Sequence, residues 1–292
     1  MRLYVERETA ELLDRPANSY LVEVNGTAIG IDGGVEGRLL KRADVVLLTH
    51  WHWDHVLGVV RSGYQGPICA SKKTLDYLAD RRPAMEGARV ISSAFSSIPA
   101  DVASIAKRLL AIVNEVRDFF KYKADVRELD DCDVVKSGLI NYVECPGHSD
   151  DHMCYRLEDV VFVGDHVNPG SGLSILSLAS YLRSSLELLS DGGWRVAMPG
   201  HGGSLSRSEL ASYVEAQVRS KVRRTAELYR LLSKDWQPLE DLLPKLYEGE
   251  RLDPLLMYVS ARSLLGYAIT LVEMGLAELN SDRSPWTIRA LR

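Results

Sequence analysis

The 292-residue sequence predicts an α+β protein with two parts, a strand-rich domain over residues 1–205 and a small helical domain over residues 206–292. Three observations predict this. The length suits one large core plus a small appendage. Short apolar runs bounded by turn residues recur up to about residue 199, with helical spacing between some of them. After Gly203 the pattern changes to long helical stretches.

Taken in order, Tyr20–Val24 and Thr27–Ile31 flank Asn25-Gly26, a strong hairpin signal. Ile31-Asp32-Gly33-Gly34 ends that second strand. Ala43–Leu48 is a continuous apolar run, which suits a buried strand. Pro67–Ala70 reads as a short strand and Ser71–Ala79 as a helix after it. From Ser97 to about Tyr122, Val102, Ile105, Leu109, Ile112, Val113, Val116 and Phe119 have helical spacing, and Ser97 with Pro99 offers a start. Strands return at Leu139–Glu144, Asp159–Val163 and Trp194–Met198, with a helix at Leu178–Leu189 between the last two. Then come helices at Arg207–Leu232, Pro238–Tyr247 and Pro254–Met274. A hairpin of Leu276–Leu279 and Trp286–Arg289 ends the chain. Three helices followed by a hairpin is the order of a winged-helix module.

Composition sets outer limits. The apolar fraction of 46% and charged fraction of 26% are ordinary for a globular chain, and a net charge of -5 gives no global pull toward polyanions. No basic start leads into an apolar block, and no stretch of about 18 apolar residues occurs, so neither a signal peptide nor a membrane span is expected. Cys69, Cys132, Cys145 and Cys154 form no C-x-x-C pair, and a chain of this length does not need disulfide staples. Reduced thiols in a cytoplasmic setting are the expectation.

The chemistry concentrates in Thr49-His50-Trp51-His52-Trp53-Asp54-His55, which follows the apolar run. Imidazole and carboxylate are the ligands that Zn²⁺ and related divalent ions prefer. His50 and His52, two apart in extended chain, point the same way, while Asp54 and His55 follow where the chain turns. His148, Asp165 and His201 repeat one placement, each just past a predicted strand and each preceded by Gly. If those strands lie side by side, their ends bring seven ligands together. A lone histidine is more often a packed or surface residue; seven ligands in matching contexts are not.

The order His50-x-His52-x-Asp54-His55, His148, Asp165, His201, with Pro146-Gly-His148 and Pro199-Gly-His201, resembles the metallo-β-lactamase superfamily. That resemblance implies a four-layer αββα sandwich with the site on one edge of two packed sheets. It implies a first metal on His50, His52 and His148, a second on Asp54, His55 and His201, and Asp165 between them. Thr49–His55, Gly147–Met153 and Gly164–Val167 look like the branch that contains beta-lactamase-like protein 2, whose layout also includes a winged-helix-like tail. That branch implies single-stranded RNA cleavage; other superfamily members hydrolyse thioesters, as glyoxalase II does, or lactones.

Two divalent ions, Zn by preference with Mn or Fe as alternatives, would hold a bridging hydroxide as nucleophile, oriented by Asp54. Asp32, Asp151 and His152 are candidates to support the ligands, against plainer readings as a turn former or as packed or solvated residues. His166, beside Asp165, is a candidate substrate contact. In the tail, Arg219 and Arg223 belong to a basic run that could meet RNA phosphates, or could form ion pairs with Glu215 and Glu227 on a solvated face. The segment from Ser204 carries 13 Lys and Arg against 12 Asp and Glu, only +1, so packing or homodimerisation outranks nucleic-acid contact. The expected substrates are therefore single-stranded RNA or a small ester or thioester, with no membrane partner. A non-catalytic nucleic-acid-binding regulator and an iron-dependent oxidative enzyme are the competing readings. The helix near 97–122 is a candidate lid.

Overall fold

The computed structural model describes residues 1–9, 16–80, 93–95, 100–169, 174–249 and 254–292. One sheet runs in the order β1 (Arg2–Thr9), β2 (Pro16–Val24), β3 (Thr27–Ile31), β4 (Val45–Leu47), β5 (Pro67–Ala70), β6 (Asp125–Glu128). A second has the order β11 (Leu205–Ser206), β10 (Val196–Pro199), β9 (Val160–Gly164), β8 (Met153–Leu157), β7 (Asn141–Glu144). In β4, Val45 and Leu47 face the second sheet while Val46, and Leu48 just beyond the strand, face helices; in β9, Val160 and Phe162 face inward while Val161 and Val163 face out. This period-2 division explains why both strands read as continuous apolar runs, since both faces are covered.

Helices α1 (Trp53–Arg61), α2 (Lys72–Ala79) and α3 (Ala100–Tyr122) cover the first sheet through Val56, Leu57, Val59, Leu78, Val116, Phe119 and Phe120. A helical turn α4 (Asp133–Lys136) precedes β7. Helices α5 (Leu178–Ser190) and α6 (Arg207–Leu231) cover the second sheet through Tyr181, Leu188, Leu210 and Val214. The layers are αββα, as expected. Each fully buried side chain of Leu or Phe size contributes about 1.5–3 kcal/mol, and Leu21, Ile29, Leu47 and Phe162 are all completely enclosed.

Beyond residue 206, Ser206 and Glu209 form a reciprocal capping box at the start of α6. The turn α7 (Leu243–Leu246), helix α8 (Pro254–Glu273) and a small sheet of β12 (Gln237–Pro238), β14 (Thr287–Ala290) and β13 (Ala277–Asn280) follow. Leu228 of α6 joins Leu239, Leu264, Leu271 and Ile288 in a separate apolar cluster, so α6 serves two cores. Helix α8 also packs on α3.

Several expectations change. Pro238–Tyr247 is not one helix: Gln237 and Pro238 pair with β14, a 3-10 turn covers Leu239–Leu242, and only α7 is helical, with Pro244 in its first turn. The expected helix start at Ser97 and Pro99 lies outside the described residues. The thiols are not free: Cys69 pairs with Cys132 and Cys145 with Cys154, at Cα–Cα distances of 6.0 and 5.9 Å. The partners are 63 and 9 residues apart in sequence and meet only when β5 reaches the turn before α4, and β7 lies against β8. No helix among the described residues is long and apolar enough to cross a membrane.

Candidate metal centre

The seven expected ligands come from both sheets. Strand β4 delivers His50, and the chain then turns into α1, with His52 as its N-cap and Asp54 and His55 in its first turn. Strands β7, β9 and β10 run parallel to one another in the second sheet and deliver His148, Asp165 and His201 from the same edge. The ligands therefore converge across the gap between two sheets, not along one.

The turns depend on glycine where a side chain has no room. Gly164 has φ +44°, and a Cβ there would lie 2.7 Å from both His152 Nε2 and Thr49 Oγ1. Gly58 of α1 lies against the backbone of Gly33 and Gly37, which lets the helix lie close against the loop that follows Asp32.

Two groups of ligand atoms result, each with its members within 4.8 Å of one another: His50, His52, His148 and Asp165 in one, Asp54, His55 and His201 in the other. Asp165 stands between them. Its Oδ2 is 3.4 Å from His148 Nε2, and its Oδ1 is 3.1 Å from His55 Nε2 and 3.4 Å from His201 Nε2. Asp54 Oδ2 is 3.3 Å from His201 Nε2. His52 Nδ1 and His148 Nε2 face each other at 2.8 Å. Six of the seven side chains are buried, and half-buried His52 marks the open side.

The opposite edges of the rings are tied down. Asp32, itself at φ +54°, accepts the Thr49 backbone N–H at 2.8 Å and the Thr49 hydroxyl at 2.8 Å. The Thr49 oxygen lies 3.0 Å from His50 Nδ1, and Asp32 Oδ2 lies 2.8 Å from His55 Nδ1. With the Thr49 proton given to Asp32, His50 Nδ1–H donates to the hydroxyl oxygen. His50 and His55 then both aim Nε2 inward. His148 Nδ1 donates to the Ser174 carbonyl at 2.8 Å. Asn18 Nδ2 donates to the Pro199 and Gly202 carbonyls at 2.8 and 3.0 Å, fixing the loop that carries His201.

The protonation pattern differs between the two ligand groups. Burial pushes His50, His52 and His148 below the usual imidazole range. Burial opposes protonation of His55 and His201 too, but is outweighed by Asp165 together with Asp32 at His55 and with Asp54 at His201. Burial would raise Asp54, yet the hydrogen bond from His201 holds it down to about 2. Asp165 is likewise held low, burial being outweighed by His201 and His55. His50 Nε2, His55 Nε2 and Asp165 Oδ1 are buried without a hydrogen-bond partner. Buried polar atoms left without a partner in both ligand groups fit a pair of cations.

Of the other expected site residues, Asp151 Oδ2 accepts from the Trp51 backbone N–H and the Thr74 hydroxyl, each at 2.9 Å, so it braces the stretch between two ligands. His152 Nε2 accepts the backbone N–H of Asp165 at 3.0 Å. His166 is not brought to the substrate side: it is completely buried, 2.9 Å from Ser185 Oγ and stacked on Tyr181. Its strand-end position beside Asp165 sends alternate side chains to opposite sides. Arg219 pairs with Glu215 and Arg223 with Glu227 on the face of α6. Thr49, Asn18 and Ser174 were not legible as site residues; only Thr49, adjacent to His50, had a local signal.

Residues 12–201 match the family described as the metallo-beta-lactamase superfamily, and the chain belongs to that superfamily. Among its relatives, an atrochrysone carboxyl ACP thioesterase of Aspergillus terreus is 34% identical over 103 residues, 35% of this chain and 31% of that protein. Thioesterase pkgB of Emericella nidulans is 28% identical over 232 residues, 74% of this chain and 54% of that protein. The chain thus matches between about a third and half of these relatives' length. The crystal structure of a metallo-beta-lactamase family protein from Thermus thermophilus superposes with a TM-score of 0.70 at 18% identity, covering 99% of this chain and 98% of that one. It shares the fold, including the region beyond residue 206.

Proposed function

We propose that the protein is a hydrolase with two divalent metal ions, and that it cleaves a thioester. The observation that carries the metal reading is the position of Asp165, one carboxylate whose two oxygens face the two ligand groups. His50, His52 and His148 hold one ion and Asp54, His55 and His201 the other. The imidazole-rich set suits Zn²⁺, with Mn or Fe able to use the same donors. When bound, such ions polarise a carbonyl and make water nucleophilic at neutral pH.

The chain's own residues do the rest. Asp54, ionised above about pH 2, accepts a hydrogen bond from the attacking water and sets its direction. Asp32 and Thr49 hold the imidazoles in the tautomer that presents Nε2. The water oxygen bonds to the thioester carbon, the C–S bond breaks with its electron pair on sulfur, and a carboxylic acid and a thiol result.

Two arguments favour a thioester. Relatives spanning part of this sequence carry thioesterase names. A thiol with a pKa near 8.5 leaves without strong general-acid help, and the two histidines outside the ligand groups, His152 and His166, are buried behind the site. The resemblance to the beta-lactamase-like protein 2 branch carries the RNA reading, but Arg219 and Arg223 are engaged by glutamates, which weakens it. The complete ligand set favours turnover over a regulator's role.

The test is hydrolysis of acetyl-CoA and of a labelled single-stranded RNA by zinc-loaded protein, with His50→Ala and Asp165→Ala beside it. Thioester cleavage, with loss of activity and of bound metal in both variants, is expected. RNA cleavage without thioester cleavage would replace the substrate assignment. Full activity in the variants would overturn the metal reading.

A further inference from the structure

Helix α8, which lies far along the sequence from every ligand, meets the loop that supports His148. A Cβ on Gly266 would lie 2.9 Å from the Ile175 carbonyl, so helix and loop meet backbone to backbone. The carbonyl of the preceding residue, Ser174, receives His148 Nδ1–H. Arg262 sits one turn before Gly266 on the same helical face, the face that meets that loop. After burial and the neighbouring His148, the Arg262 charge is the next influence holding His52 neutral, and it acts on His148 in the same direction.

Arg262 is half-buried and has no ion pair or hydrogen bond among the described residues. Elsewhere on the surface the pattern differs: Arg219, Arg223, Arg224 and Arg289 each face a glutamate. A guanidinium drawn partly out of water with no acceptor among the described residues costs free energy, and its planar fork matches a carboxylate or phosphate. Beside half-buried His52 lies the half-buried ring of Trp51, 4.9 Å away, an aromatic group with no charge.

We propose that Arg262 binds an anionic group of the substrate beside the metal centre, a carboxylate on the acyl part or a phosphate on the thiol part. This rests on the thioester reading for the identity of the substrate, but not for the existence of the anion site.

Three thioesters separate the sources: S-phenyl thioacetate, uncharged; the S-phenyl monothioester of glutaric acid, with its carboxylate on the acyl side; and acetyl-CoA, with phosphates on the thiol side. Arg262→Met keeps the aliphatic stem and removes the fork, and Arg262→Lys keeps the charge. Arg262→Met is expected to raise KM about tenfold or more for one charged probe, the worth of one or two charge-assisted hydrogen bonds. Its kcat, and KM for S-phenyl thioacetate, should move by less than about twofold, with Arg262→Lys intermediate. An unchanged KM for both charged probes, or an equal rise for all three, overturns the proposal. Calorimetric binding of glutarate and desulfo-CoA to the zinc-loaded proteins gives a reading without turnover. If wild type cleaves no thioester yet Arg262→Met loses binding of one of these anions, the thioester reading falls and the anion site stands. If neither anion distinguishes the two proteins, the anion site falls.

Discussion

Asp32 and His55 are joined by a 2.8 Å contact between Oδ2 and Nδ1, and both side chains are almost wholly buried. The same carboxylate anchors Thr49, which in turn meets His50, so one acid orients a ligand of each metal group. Asp32→Asn keeps the volume but cannot accept all of these bonds. Its metal affinity, read by competition with a chromogenic chelator, is expected to fall about 10–100-fold. An unchanged affinity would mean that the imidazoles are oriented by packing alone.

The two cysteine pairs close loops of very different length, 63 and 9 residues. Chain entropy gives about 4 kcal/mol for the longer loop and about 2.5 kcal/mol for the shorter. Cys69→Ser is thus expected to lower the denaturant midpoint more than Cys154→Ser, and a reductant should lower that of wild type. A wild-type midpoint indifferent to reductant would show that the thiols are unpaired in solution.

Arg219 and Arg223 are exposed partners in i,i+4 pairs with Glu215 and Glu227. Such pairs contribute little, so Arg219→Ala with Arg223→Ala should shift Tm by less than about 3 °C. Thioester turnover should stay at the wild-type level. A fall in activity confined to RNA would restore a substrate role for this helix.

Burial lowers His166 to about 4, and the nearby His148 pushes the same way. A depressed imidazole pKa adds stability that is complete above the unfolded value of about 6.5 and is lost as the pH falls through about 4. His166→Gln, which can keep a hydrogen bond to Ser185, should therefore lose less stability between pH 7 and pH 4.5 than wild type does. Urea melts at the two pH values measure this, and parallel losses would remove His166 from the acid response.

The sequence by itself determined the ligand set and much of the frame around it. His50 to His55 fall after an apolar run with both faces covered, and the three later ligands follow strand ends through glycine, because a buried strand and a tight exit leave local marks in composition. The Asn25-Gly26 hairpin, with φ values of +50° and +82°, was legible for the same reason. Strand β1 was not singled out: its charged alternation, Arg2-Leu-Tyr-Val-Glu-Arg-Glu-Thr9, suits a sheet edge, and only pairing along its whole length with β2 gives it shape. Only the tertiary structure decided that the ligands meet across two sheets, that Asp32 serves both ligand groups, that His166 turns away, and that Cys69 meets Cys132. It alone brings the helix that carries Arg262 against the loop that supports His148. These are contacts between residues distant in sequence, fixed by how sheets and helices pack, and no local periodicity encodes them.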